Sequence, residues 1–296
     1  MNRPLRLHAI YAVLDEPALF RASVASIYPH VDGITVITTY DRDWEGRPRD
    51  PSPLVQMVLG RDVDPDRKIE LVVANETNEA RARNRAMDLA APRRASIRVR
   101  RQHRHDEPYA VPDYFLIIDS DEIYEAGALE GLKEHIAQKR RPLYRVACLR
   151  YFKRWNYRIE GLEWMLALVR ADQRLPYLRM RPVGLPRRAA AHLPGMTDGL
   201  ESRLRGWVDI PSDVGLFHHG SYVGPRSRIA AKLASFGHSH EVRGNWLEDV
   251  WDRWTPDARD FNPTHPARFP RAQRVTTDAL PAETTRQPWP ADYIER

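Results

Sequence analysis

The sequence predicts an α/β protein, with a mixed, mostly parallel sheet flanked by helices and an irregular, Pro-rich C-terminal tail. Three observations predict it. Short apolar or β-branched runs alternate with helical patterns four times between Arg6 and Ile118, the alternation that builds a parallel, doubly wound sheet. The fourth run, Tyr114 to Ile118, is wholly apolar, as in a strand buried on both faces, and stops abruptly at Asp119-Ser120-Asp121-Glu122. Beyond Thr255 the periodicity ends and Pro recurs among isolated aromatics.

Arg6 to Leu14 (RLHAIYAVL) reads as the first strand. Pro17 is well placed to open the next helix, with Leu19, Ser23/Val24 and Ile27 as its buried stripe. Gly33 to Thr39 (GITVITT) is a second, β-branched strand. Residues 44–66, rich in Pro, Asp and Arg, read as a long loop with one helical turn around Leu54 to Leu59. Ile69 to Ala74 is the third strand, and Thr77 and Asn78 are cap candidates for a helix carrying ARARNRAMDLA. An Arg-rich loop over 92–108 leads to the fourth strand.

Leu129, Leu132 and Ile136 mark another helix, and Leu143 to Phe152 a strand in a mixed part of the sheet. From Lys153 to Asp213 the pattern breaks up, and reads as an elaboration of the same domain. Val214 to Tyr222 (VGLFHHGSY) precedes a helix with Ile229, Leu233 and Phe236 on one face; Leu247, Val250, Trp251 and Trp254 suggest a second amphipathic helix. The expected organisation is one domain over 1–254, with 255–296 packed on it as a tail.

A chain of 296 residues, 42% hydrophobic and 29% charged, has the material for a sizeable core and lacks the bias of a disordered or fibrous protein. No apolar run is long enough to span a bilayer, and the N-terminus carries no signal-peptide pattern. The lone cysteine, Cys148, excludes an internal disulfide and fits a reducing compartment. A net charge of +6 suits anionic partners. The Arg-rich stretch Ala91 to His105 lacks the interleaved aromatics of a stacking platform, and no nucleic-acid motif accompanies it, so nucleic acid is not expected as a partner. GxGxxG, P-loop, HExxH and CxxC patterns and the serine-hydrolase elbow are all absent.

The chemistry is expected at the strand-end acids, because open α/β sheets bind ligands at the carboxyl ends of their strands. In an extended backbone Asp119 and Asp121 project to one side while Ser120 turns away, so the two carboxylates are placed to converge on a hard cation. Oxygen ligands with open positions suit Mg²⁺ or Mn²⁺, ions that characteristically hold diphosphates. The same acids also fit a helix N-cap or a solvated turn.

The strand ending in IDSDE, a Trp- and Arg-rich stretch, and HHGSY followed by a helix containing Lys232 resemble the GT-A glycosyltransferases. Two families come closest: the small bacterial members of glycosyltransferase family 2, and the family of the bisecting β-1,4-N-acetylglucosaminyltransferases. The resemblance spans about residues 6–240 and is strongest in IDSDE and HHGSYVGPRSRIAAKLASFGHSHE. It implies a Rossmann-like GT-A domain with a nucleotide-binding half over about 1–125 and an acceptor-side half over about 126–254. The activity the resemblance implies is transfer of a hexosyl or N-acetylhexosaminyl group from a nucleotide diphosphate sugar, expected to be UDP-linked, to an acceptor hydroxyl with inversion.

Residue by residue, the resemblance makes Asp119 and Asp121 the DxD motif. Asp121 would bind a divalent Mn²⁺ or Mg²⁺ directly, with Asp119 on the ribose or a metal-bound water. His219 would complete the metal shell, its neighbour His218 pointing the other way. Arg83 and Asn84 would contact the donor sugar or diphosphate. Asp15 and Glu16 would border the base, although Asp15 replaces the family's Asn. Thr38 and Thr39 stand where the family closes its second strand with Asp, leaving Asp41 or Asp43 for uracil or ribose. Glu163 in GLEWMLALVR would be the catalytic base, with Asp198 in MTDGL as second choice. Lys232, His238 and His240 would touch phosphate or acceptor.

The implied partners are a nucleotide sugar and a glycan, lipid-linked, peptide or small-molecule acceptor, in the cytoplasm or peripheral at the inner face of the membrane. Two other readings compete. One is a non-catalytic, Arg-rich protein that binds anions or nucleic acid, with the DSD as capping only. The other is a DxD phosphatase or phosphotransferase, although Ile123 stands where the haloacid-dehalogenase pattern has Thr or Val.

Overall fold

In a computed structural model, the described residues are 4–14, 16–44, 46–76, 79–91, 111–173, 207–235 and 239–295. Four strands, β1 (Leu7–Ala12), β2 (Gly33–Thr38), β3 (Ile69–Val73) and β4 (Tyr114–Ile118), form a parallel block in the order β3-β2-β1-β4. Helices α1 (Pro17–Ile27), α2 (Ser52–Val58) and α3 (Glu79–Ala90) connect its first part. Alternation along β1 explains the layering. Leu7, Ala9 and Tyr11 join a core with Phe20, Val24 and Ile27 of α1, whereas Ile10 joins Ala82, Ala86 and Met87 of α3 on the other face. Pro17 opens α1, as its fixed φ favours.

The second half of the sheet is mixed. A short β5 (Glu122–Tyr124) and α4 (Ala128–Lys139) lead into a 17-residue β6 (Leu143–Ile159). Here the reading of 153–213 needs correction. Strand β6 runs on through Trp155 to Ile159, turns at Gly161 (φ 86°), and returns as β7 (Glu163–Arg170), antiparallel to both β6 and β4. Both faces of β6 carry large aromatics, so period-two alternation is hard to see in its sequence. Strands β8 (Trp207–Asp209) and β9 (Leu216–Val223) lie parallel to β6, and β5 pairs antiparallel with β9, giving the order β3-β2-β1-β4-β7-β6-β9-β5 with β8 on β6. The sheet is mixed α/β, with its parallel block in the first half.

Helix α5 (Arg226–Ser235) follows β9. The second amphipathic helix is instead a five-residue π-helical turn, Leu247–Trp251, closed by Asp252 N–H on the Leu247 carbonyl at 2.9 Å. A π turn brings residues five apart together, and Trp246 and Trp251 both reach the Phe152 ring (centroids 6.1 and 4.9 Å). Later residues contribute Phe261 and Phe269 to this cluster, strand β10 (Ala272–Arg274) on β6, and a one-turn helix α6 (Ala282–Thr285). Gly224, at φ 115°, lets Tyr293 approach where a Cβ would lie 2.8 Å from its ring. Among the described residues no helix is long and apolar enough to cross a membrane.

Candidate metal centre

The chain leaves β1 towards β2 on one side and, after β3, crosses to β4 on the other. The carboxyl ends of β1 and β4, in register at Tyr11 and Ile118, therefore flank a topological switch point, the place where open α/β sheets bind ligands. Residues 119–122 leave β4 at this edge as a tight turn, with Glu122 N–H donating to the Asp119 carbonyl at 3.1 Å. The two aspartates thus meet across a turn, not along an extended strand. Ser120 points to Glu16, donating to Oε2 at 3.2 Å.

Strand β5 then sets Glu122 opposite His219 of β9, and the Gly220 N–H donates to the Asp121 carbonyl at 2.7 Å. Gly220 is required there: a Cβ would lie 2.6 Å from the Trp155 ring. This pairing carries His219 to Asp121, Nε2 to Oδ1 at 3.3 Å. One ligand atom from each of Asp119, Asp121 and His219 lies within 4.8 Å of the others. His218 faces the opposite side, between Glu125 Oε1 (2.9 Å) and the Tyr151 hydroxyl (2.8 Å), with its ring stacked on Tyr151. Alternation along β9 therefore distinguishes the two histidines.

Cations surround the acids. The buried Arg83 donates to Asp119 Oδ1 and to Glu79 Oε1, and so orients the first aspartate. Lys232 Nζ lies 3.1 Å and Arg228 Nη2 3.5 Å from Asp121 Oδ2. Arg228 also pairs with Glu16 Oε1 at 2.7 Å. Glu16, just before α1, has left-handed backbone (φ 82°). Burial opposes ionisation of Asp121, but Lys232, His219 and Arg228 overcome it and hold the carboxyl well below the usual range. Burial likewise opposes charge on Lys232, yet Asp121 and Glu16 raise its pKa. For His219 burial pulls down, while Asp121, by charge and hydrogen bond, lifts the imidazole above its ordinary value.

Two carboxylates and an imidazole, with ligand atoms converging within 4.8 Å, make an O,O,N donor set of the kind that suits Mn²⁺ or Mg²⁺. The residues present fit a divalent ion. Any such ion would share Asp121 with Lys232 and Arg228.

The other expected site residues distribute as follows. Asn84 is buried on α3 next to Arg83. Asp41 is exposed in the loop after β2, its carbonyl accepting from Arg49 N–H at 2.9 Å, and Asp43 holds Arg47 Nε at 2.7 Å. His240 is exposed beside Glu241. Asp15, Asp198, His238 and the Arg-rich loop 92–108 lie outside the described residues. Glu163 begins β7 opposite Cys148 of β6, where it pairs with Arg150 (3.2 Å) and with Arg268. Glu163 and His219 flank β6 from opposite sides, two strand spacings apart and offset by two residues along the strand, roughly 12 Å.

Sequence reading missed Arg228, Arg150, Arg268 and Arg49. Arg228 carried a signal, standing four residues before Lys232 and so on the same helix face. Arg49 donates to the Thr38 and Thr39 hydroxyls (2.9 and 3.1 Å) at the end of β2 from a loop ten residues away, and only the fold brings them together.

No known protein family matches the chain, and no curated protein matches it. Among solved structures it is similar to S. aureus TarS, at a TM-score of 0.41 and 11% identity over 80% of this chain and 41% of that one. A second structure, TarS 1-349, is similar at a TM-score of 0.38 and 12% identity, over 80% of this chain and 68% of that one. The chain thus spans less than half of the first TarS chain.

Proposed function

We propose that the chain is a metal-dependent glycosyltransferase, moving a sugar from a nucleotide diphosphate sugar to an acceptor hydroxyl with inversion. The observation that carries this reading is the convergence of Asp119, Asp121 and His219 at the β1/β4 switch point, ringed by Arg83, Arg228 and Lys232.

Asp119, Asp121 and His219 would hold the ion, which when bound supplies Lewis-acid neutralisation of the donor diphosphate. Arg228 and Lys232 offer guanidinium and ammonium donors at the same edge, placed to balance charge developing on the leaving group. In the transfer, the acceptor oxygen attacks the anomeric carbon as the bond to the diphosphate oxygen breaks. The electron pair leaves on the diphosphate, and the acceptor proton passes to Glu163. The choice of Glu163 as base is supported by its register on β7, which shares a sheet face with His219 across β6.

Lys232 favours one second reading. Its ammonium, 3.1 Å from Asp121, together with Arg228, could hold a diphosphate without any ion.

A thermal-shift panel of UDP-, GDP-, CDP- and TDP-sugars, with and without Mn²⁺, tests both, because a ligand of the native state raises its stability by mass action. A shift that requires Mn²⁺ and favours one nucleotide supports the transferase. A shift indifferent to Mn²⁺ supports the metal-free reading. No shift with any nucleotide overturns both.

A further inference from the structure

The pair formed by Arg150 and Arg268 is not used by the transfer chemistry. Arg150 stands on β6 in register with His219, two residues beyond Cys148, and Glu163 is in register with Cys148 from the other side. Arg150 pairs with Glu163 at 3.2 Å, and Arg268 reaches the second oxygen of the same carboxylate. Among the described residues Glu163 is the one carboxylate in ion-pair reach of either guanidinium, so two positive charges face one negative.

The guanidiniums are also preorganised and partly desolvated. Arg150 donates to the Arg268 carbonyl at 2.9 Å and lies over the Phe269 ring at 5.3 Å, while its Nε is buried with no hydrogen-bond partner. The Arg150 side chain is 11% exposed, whereas Arg268 is 51% exposed and opens the cluster to solvent. Burial pulls both guanidiniums below the ordinary value, and Arg150 adds to this at Arg268. Guanidiniums held so, with surplus charge and spare donors, recognise planar or tetrahedral oxyanions.

We infer that Arg150 and Arg268 form an acceptor subsite for an anionic sugar, one bearing a carboxylate or a phosphate. The inference rests on the transferase reading for the word acceptor, and on the cluster alone for the anion. The incoming anion takes the place of Glu163 on one or both guanidiniums, which frees the Glu163 carboxylate beside the acceptor. The subsite thus couples acceptor binding to release of the base.

The test is a calorimetric titration of the full chain with glucuronate, glucose 6-phosphate and glucose, without metal or nucleotide. The cluster is made by protein groups alone, so the subsite predicts binding without a donor. At least one anionic sugar is expected to bind, and neutral glucose not to. Binding by glucuronate alone assigns a carboxylate, and by glucose 6-phosphate alone a phosphate.

Arg268→Gln, at a half-exposed side chain, is expected to weaken binding about tenfold, the worth of a hydrogen bond to a charged group. Glu163→Gln should strengthen it, because the competing carboxylate is gone; a merely structural cluster would not respond in opposite directions. Circular-dichroism melts of both variants check that each folds. Equal behaviour of glucose and both anions, anion binding untouched by Arg268→Gln, or weaker binding in Glu163→Gln overturns the subsite. None of these results depends on nucleotide or ion, so the transferase reading stands or falls separately.

Discussion

Asp121 is held from both of its oxygens: His219 Nε2 lies 3.3 Å from Oδ1 and Lys232 Nζ 3.1 Å from Oδ2. One partner comes from a strand paired with the turn, the other from the helix that follows that strand. The same carboxylate is therefore both the centre of the candidate metal triad and the anchor of the cationic edge.

Removing its charge should act on both roles. Asp121→Asn is expected to abolish metal-dependent nucleotide stabilisation and to bring turnover to background. It also leaves Lys232 and Arg228 without one carboxylate in a buried setting, a change that costs about 3 kcal/mol. Denaturant melts and a nucleotide-release assay measure the two effects. Wild-type turnover in this variant with saturating Mn²⁺ would sink the assignment.

Lys232 is expected to serve the donor diphosphate and not the fold. Lys232→Met keeps the aliphatic stem, and should lower kcat/KM for the donor by roughly 100-fold, as loss of a transition-state charge partner does. Mn²⁺ binding should survive, since the triad keeps all its ligands. A variant with unchanged kcat/KM would assign the lysine to Asp121 alone.

The two adjacent histidines should separate cleanly. His219→Ala is expected to lose Mn²⁺ binding. His218→Phe keeps a ring against Tyr151 but loses the bonds to Glu125 and the Tyr151 hydroxyl (2.9 and 2.8 Å). It should cost about 1–3 kcal/mol of stability and spare Mn²⁺ binding. Loss of Mn²⁺ binding in His218→Phe but not in His219→Ala would reverse the assignment.

His8 gives a stability change with pH far from the site. Burial lowers its pKa from 6.5 to about 4, and its Nε2 meets the Thr35 hydroxyl at 2.9 Å. A depressed imidazole favours the fold while neutral. Its contribution is complete above pH 6.5 and is lost as pH falls towards 4, about 3 kcal/mol in all. Urea melts across that range should show a steeper loss for wild type than for His8→Gln. Parallel pH profiles for the two proteins would contradict the buried, neutral histidine.

Legibility followed the length and periodicity of each element. Strands β1 to β4 and the helices between them were readable because their runs were short, apolar and bounded by polar turns, and because Pro17 marked a helix start. Asp119, Asp121 and His219 were readable as residue types in a known arrangement. Four features were not. Strand β5 has only three residues. The β6–β7 hairpin hides its alternation under Trp155, Tyr157 and other aromatics that pack on both faces. The π turn seats Trp246 and Trp251 against Phe152, about a hundred residues earlier in the chain. The partners of Glu163 come from β6 and from Arg268, and no local pattern announces a pairing over that separation.

The most direct test of the metal centre is a calorimetric titration of Mn²⁺ into wild type, Asp121→Asn and His219→Ala, each alone and with nucleoside diphosphates present. The account predicts a single bound ion in wild type, tightened by one of the diphosphates and lost in both variants. An ion bound equally by all three proteins, or none bound by wild type even with the diphosphates, would contradict it.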